Sequence, residues 1–252
     1  MPKPYSMQFY RDNRFWQILQ ILLVFAWPIP LFAQEEPSMY VKQEMPSMHH
    51  PRYDQFSHYK ASVGLSMVLP PKDMVEMAIQ APLFNYHGIY TLPWKFSVEG
   101  DFSSLIVSNQ ISLGPRISLT KAKFGLKLGY DLAFVAGQLK QFGFNNTTKA
   151  WLHYPNISGS YQTKTMIFTL KAEAIAVASV RTKTGENELS ITKDFYNGYT
   201  GAIYIEQRLH KNKVLIIGFK DSYVKYYWPV WLTFSTFKRF YHIPEISFSW
   251  II

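Results

Sequence analysis

Cysteine is absent from the chain. That excludes disulfides, a thioether-linked lipid anchor and a small secreted domain stapled by disulfides. Charge is scarce as well: Asp, Glu, Lys and Arg make up 17% of the residues, against about 25% in ordinary soluble domains. Beyond the N-terminal region, Gly, Pro or a charge interrupts every apolar run well short of the roughly 20 residues that a spanning helix needs. Catalytic signatures are missing too, with no Gly-x-Ser-x-Gly, no His-Glu-x-x-His, no phosphate loop and no cysteine nucleophile. The net charge of +9 is scattered through turns such as Thr120-Lys121-Ala122-Lys123 and His210-Lys211-Asn212-Lys213. A nucleic-acid binder would gather it into one patch, so no nucleic-acid partner is expected.

What the chain does have begins with its first residues. Lys3, Arg11 and Arg14 precede an apolar run from Ile18 to Trp27, followed by Pro28, Pro30 and Leu31-Phe32-Ala33-Gln34. A basic head, a short apolar middle and a small residue before a polar start predict a secretory signal peptide over 1–33, cleaved after Ala33. Residues 34–58, rich in Pro, Met and Glu, show no sustained period and predict a flexible tail. Within it, Met45, Met48, His49 and His50 are soft ligands of the kind that suit copper. They form no repeat and keep no fixed spacing, so neither a metal nor any other cofactor is expected.

From residue 59 onward the polarity alternates with period two. Phe124, Leu126, Leu128, Tyr130, Leu132 and Phe134 share one face of a strand and Lys127, Gly129 and Asp131 the other. The same dyad recurs at Trp94, Phe96, Val98, Gly100, Phe102 against Lys95, Ser97, Glu99, Asp101. It returns at Phe168, Leu170, Ala172, Ala174 against Thr169, Lys171, Glu173. One greasy face and one charged face suit a wall between lipid and water, and only a closed sheet can form such a wall from strands. Strands are predicted at 60–69, 74–83, 88–103, 107–120, 122–137, 155–163, 165–179, 198–209, 213–224 and 240–252. The resulting fold class is all-β: an antiparallel up-and-down transmembrane barrel over 59–252 with about ten strands, eight or twelve being the alternatives. Segment 74–83 also reads as a short helix capped by Asp73 and Glu76. The breaks at 121–123, 164 and 210–213 are short, whereas those at 138–154, 180–197 and 225–239 are long.

With the signal ending Leu31-Phe32-Ala33-Gln34-Glu35, the dyad strands and the closing alternation Ile246, Phe248, Trp250, Ile252, the chain resembles the small outer-membrane β-barrel proteins of Gram-negative bacteria. Its Ala-Gln-Glu cleavage region looks like that of Bacteroidetes exports. The resemblance implies an outer-membrane location and contact with outer-membrane lipid and lipopolysaccharide. It also implies insertion by the barrel-assembly machinery, which the terminal strand would address. It is a likeness of architecture and carries no specific activity.

The lumen side of the predicted strands presents Lys95, Glu99, Asp101, Arg116, Lys127, Asp131, Lys171, Glu173, Glu206 and Arg208. Equal numbers of bases and acids predict an interior network of ion pairs, including Lys171 with Glu173 and Glu206 with Arg208. In a barrel this narrow such side chains fill the bore, so a plugged lumen is expected rather than a selective pore. Aromatics near strand ends, among them Trp94, Trp151, Tyr154, Phe195, Tyr196, Tyr199, Tyr223, Tyr226, Tyr227, Trp228, Trp231, Phe237, Phe240 and Tyr241, predict interfacial girdles.

The function expected is structural or surface-interacting, or passage of a small solute, without catalysis. Two alternatives remain. A lipid-modifying barrel enzyme would use His153 with Ser158 or Ser160, or His242 with Ser247. A soluble periplasmic β-barrel or sandwich would bury Leu126, Leu128 and Phe134 instead of exposing them.

Overall fold

The computed structural model describes residues 45–51, 58–71, 82–140, 145–185, 187–209, 213–230 and 239–252, with only the backbone of 188–194. The expected signal peptide at 1–33, the first part of the expected tail and nearly all of the predicted element 74–83 lie outside the described residues.

Ten strands follow one another: β1 (Tyr59–Val68), β2 (Leu83–Thr91), β3 (Phe96–Ser104), β4 (Ser108–Lys121), β5 (Phe124–Leu139), β6 (Asn146–Gln162), β7 (Met166–Thr184), β8 (Asn187–Arg208), β9 (Val214–Val224) and β10 (Tyr241–Ile251). Each pairs antiparallel with its neighbours in sequence, and β10 closes on β1, with Ser62 opposite Ile251 and Val68 opposite Glu245. Closure leaves no strand edge without a hydrogen-bonded partner. No helix among the described residues is long and apolar enough to cross a membrane, which says nothing about crossing by strands.

The dyads decide which face turns inward. In β5, Leu126, Leu128, Tyr130 and Leu132 are exposed on the outside, while Lys127 and Asp131 are buried inside. Ile111, Leu113, Ile117, Ile157, Leu170, Ile203 and Phe248 extend the outward apolar surface over the neighbouring strands. The soluble alternative required Leu126, Leu128 and Phe134 to be buried. The first two are exposed and Phe134 is half-buried, its ring tilted against that of Trp151.

Four stretches differ from expectation. Segment 88–103 is two strands, not one, because the chain turns through Leu92 to Lys95 with Trp94 at φ 67° and Lys95 at φ 68°. The stretches 138–154 and 180–197 are mostly strand: β6 starts at Asn146, β7 runs to Thr184 and β8 starts at Asn187. Residues 45–51, expected in a flexible tail, lie buried inside the barrel.

The turns at 92–95, 122–123 and 163–165 gather at one end, here the short-turn end, together with the end of β8 and the start of β9, the start of β1 and the end of β10. At the other end, here the long-loop end, β1 ends and β2 starts, 105–107 join β3 to β4, β5, β7 and β9 end, and β6, β8 and β10 start.

Candidate functional site

The inner wall is polar at mid-height because most of the alternate residues that face inward there are Ser, Asn, Gln or charged. β4 contributes Ser108, Gln110, Ser112 and Arg116 to it. Arg116 makes two parallel hydrogen bonds to Asp131 on β5, Nη1 to Oδ1 and Nη2 to Oδ2, both at 2.6 Å. This two-pronged geometry is the strongest form of carboxylate pairing. It is possible because residue 129 is glycine: a Cβ there would sit 2.2 Å from the Arg116 Cδ. Glu99 on β3 joins the cluster, 3.3 Å from Arg116 Nε and 2.7 Å from Lys127 Nζ. Asn156 donates to Asp131 at 3.0 Å. His87 on β2 meets Asp101 at 2.5 Å, Lys171 meets Glu173 at 2.9 Å, and Lys220 meets Glu245 at 2.5 Å. These groups surround a cavity of ≈ 190 Å³ in the bore.

Below the cavity, toward the short-turn end, residues 45–51 are seated by contacts to the wall on all sides. Glu206 of β8 accepts hydrogen bonds from the Met48 and His49 amides at 2.8 and 3.1 Å and from the Ser47 hydroxyl. Lys127 donates to the Met48 carbonyl at 3.0 Å. The ring of His50 meets the Ser160 hydroxyl at 2.8 Å, and Thr120 donates to the Pro51 carbonyl at 3.0 Å. His49 stacks on Tyr204 with ring centroids 4.0 Å apart. Met45 packs with Ile167 and Val214, and Met48 with Ile89 and Ile216. Burial, reinforced by His87 and Lys127, holds the His49 imidazole well below its ordinary value. Burial, with Lys127, lowers that of His50.

Above the cavity, the chain after β9 folds back into the bore. Tyr226, Tyr227 and Trp228 join Val68, Leu83, Ala133, Val135, Leu152, Ile175, Val177, Val224 and Ile243 in one apolar cluster. The Trp228 carbonyl reaches the Ser108 hydroxyl of β4, which lies across the ring of strands from β9. Burial raises the Tyr226 and Tyr227 phenols well above their ordinary values, so both remain neutral.

Of the charges expected in the lumen, Glu99, Asp101, Arg116, Lys127, Asp131, Lys171 and Glu173 meet around the cavity. Lys171 and Glu173 lie 2.9 Å apart. Lys95 does not belong there, since the turn that ends β2 leaves it exposed. Glu206 is fully buried, but what it holds is the inner segment rather than the wall. Arg208 is half-buried at the short-turn end of β8. His87, Lys220 and Glu245 were missed. Lys220 and Glu245 are opposite each other in the β9–β10 register and on the inward dyad, a signal that pairing the last two strands would have exposed. The girdle expectation fails for Tyr154, Tyr226, Tyr227 and Trp228, which are buried in the bore, whereas Trp151, Tyr196 and Tyr199 are exposed. Trp231 and Phe237 lie outside the described residues.

The serine–histidine pairs considered for catalysis do not form. His153 hydrogen-bonds Tyr130 on the outer face at 2.5 Å, and His242 meets Asp221 at 2.9 Å. Among the described residues no group of three or more His, Asp or Glu is placed to hold a metal ion.

No protein-family model matches the chain, and no curated protein matches it. Among solved structures it is similar to Neisserial surface protein A, with 12% identity, coverage of 78% of this chain and 97% of that one, and a TM-score of 0.38. It is similar to the attachment invasion locus protein Ail of Yersinia pestis at 10% identity over 77% and 97% of the two chains, TM-score 0.28. It is also similar to the outer membrane protease OmpT from Escherichia coli at 9% identity over 84% and 98%, TM-score 0.39.

Proposed function

We propose that the mature chain is an integral outer-membrane β-barrel of Gram-negative, Bacteroidetes-like type. It reaches the membrane through a cleaved signal peptide and the barrel-assembly machinery, and it meets lipid and lipopolysaccharide along its outer face. The observation that carries this reading is the inversion of polarity across the wall: Leu128, Leu132, Leu113 and Leu170 face out while Arg116, Lys127 and Asp131 face in. In water that arrangement would leave a continuous apolar belt solvated and bury charge, the reverse of what the hydrophobic effect favours. In a bilayer it is the stable one. The short turns would then face the periplasm and the long connections the cell exterior.

The lumen is proposed to be plugged and the protein non-enzymatic, with a structural or surface-interaction role. Support for plugging comes from the two obstructions described above, residues 45–51 at one end and Tyr226 to Trp228 at the other. Support for a non-catalytic role comes from the contact of the His50 ring with the Ser160 hydroxyl, which is buried within the bore rather than facing lipid. The protein should fractionate with outer membranes and migrate faster on gels before boiling than after, since closed barrels resist detergent unfolding. It should conduct weakly or not at all in planar bilayers. Recovery in the soluble periplasmic fraction would sink the membrane reading, and large, long-lived channels would sink the plugged one.

A further inference from the structure

We infer that residues 45–51 are a displaceable stopper, seated in a peptide-binding site on the barrel floor, whose withdrawal opens the central cavity to the short-turn end alone. The inference rests on the closed-barrel reading above. Its first ground is that the segment is held as a ligand is held. Met48 has its N–H on Glu206 and its carbonyl on Lys127, and the flanking residues Ser47, His49, His50 and Pro51 each have a partner on the wall. None of these contacts belongs to the barrel's own strand ladder, so the strands can keep their pairing when the segment leaves.

A second ground is the fit. Gly125 on β5 is the residue beneath Pro51, and a Cβ there would fall 2.5 Å from the Pro51 Cδ. Apolar residues on the inward dyads of β2, β7 and β9, namely Ile89, Ile167, Val214 and Ile216, receive Met45 and Met48. The third ground is the asymmetry of the two obstructions. The aromatic lid is part of the largest apolar cluster in the barrel and is tied to β8 through Asn197, whereas the stopper holds its place through polar contacts and two methionines. When the weaker closure yields, the lid still blocks the far end, so the outcome is an accessible chamber and not a channel.

The lack of native cysteine makes the test direct. Ser112→Cys and Ser247→Cys each place one thiol on the cavity wall. In proteoliposomes of known orientation, labelling by a charged, membrane-impermeant methanethiosulfonate reagent added from either side reports access. Two backgrounds unseat the stopper: Met48→Asp, which puts a charge between Ile89 and Ile216, and Glu206→Leu, which removes the acceptor of the Met48 and His49 amides. Retained heat-shifted migration shows that each variant is a closed barrel. With the stopper intact the thiols should label slowly from both sides. In either background labelling should be at least tenfold faster from the short-turn side and unchanged from the other. Fast labelling with the stopper intact would refute the plugged lumen itself. Slow labelling in both backgrounds, or acceleration from both sides, would overturn the stopper inference while leaving the membrane barrel standing.

Discussion

Asn197 holds both backbone groups of Tyr226: its side-chain Nδ2 donates to the Tyr226 carbonyl at 2.8 Å, and its Oδ1 accepts from the Tyr226 amide at 2.6 Å. A β-bulge makes this possible. The β7–β8 register slips between Ile175, opposite Gly198, and Ala176, opposite Tyr196, so Asn197 is the extra residue. The side chain of Asn197 is fully buried. Gly198 follows at φ 141°, where a Cβ would lie 1.9 Å from the Tyr223 carbonyl oxygen. A bulge next to a glycine thus converts one wall residue into a clamp for the lid.

Replacing Asn197 with Leu should orphan a buried amide and a buried carbonyl, each costing about 1–3 kcal/mol. Asn197→Asp keeps the acceptor for the Tyr226 amide but sets a buried carboxylate oxygen against the Tyr226 carbonyl, so it should destabilise as well. Denaturant unfolding in detergent measures the loss, and hydrogen exchange at the Tyr226 amide should accelerate in the Leu variant first. Equal stability of both variants with wild type would show that the clamp contributes nothing.

The outer face gives the second prediction. Leu128→Arg puts a charge where the belt meets lipid and should cost about 2–4 kcal/mol if the residue lies near the bilayer midplane. Lys121→Arg, at an exposed strand end beside the short turn, is the matched control and should be near neutral. Reversible unfolding in lipid vesicles compares the two, and equal effects would contradict the assigned belt.

Asp131 gives the third. Removing its charge by Asp131→Asn leaves Arg116 with Glu99 at 3.3 Å as its carboxylate partner, and breaking a buried pair in this way typically costs about 3–5 kcal/mol. The remaining carboxylate should keep the loss toward the lower value. Arg116→Gln combined with Asp131→Asn should cost less than the sum of the two single changes, because the residues are in direct contact. Strict additivity in a double-mutant cycle would show that the pair is not coupled.

Much of this fold could be read from the sequence because β5, β3 and β7 state their two faces plainly, and the face assignment of Lys127, Asp131 and Leu128 follows from the dyad alone. Other parts could not be read. The turn between β2 and β3 carries its positive φ angles on Trp94 and Lys95 rather than on glycine, so Pro93 is its one mark in the sequence and the dyad on either side masks it. Upper β6 and β7 place Lys149 and Arg181 on the outside, so the greasy face ends before the strand does. The inward dyad of β9 is apolar at Val214 and Ile216, which does not suit a water-facing wall. Its cause is now visible: Val214 and Ile216 face Met45 and Met48, not water. The stopper itself has no period to detect, since most of what holds it is hydrogen bonding over more than a hundred residues of sequence.

Acid should loosen that stopper. His49 and His50 are buried in the seated segment and held below their ordinary value near 6.5 by burial first and by neighbouring cations second. The groups facing His49 are His87, Glu99, Lys127, Lys171, Tyr204 and, at its amide, Glu206, and Ser160 and Lys127 face His50. In the withdrawn state both imidazoles are solvated and regain the ordinary value. The withdrawn state therefore binds more protons, and seating is stable above that value and weakens as pH falls below it, by up to about tenfold per pH unit for each histidine. Hydrogen exchange at the Met48 and His49 amides, corrected for intrinsic rates, should show rising opening between pH 7.5 and 5. His49→Phe keeps the ring stacked on Tyr204 but removes its proton, so it should lessen this dependence to the part that His50 carries while leaving opening at pH 7.5 nearly unchanged. A wild-type opening equilibrium that is the same at both pH values would refute the linkage.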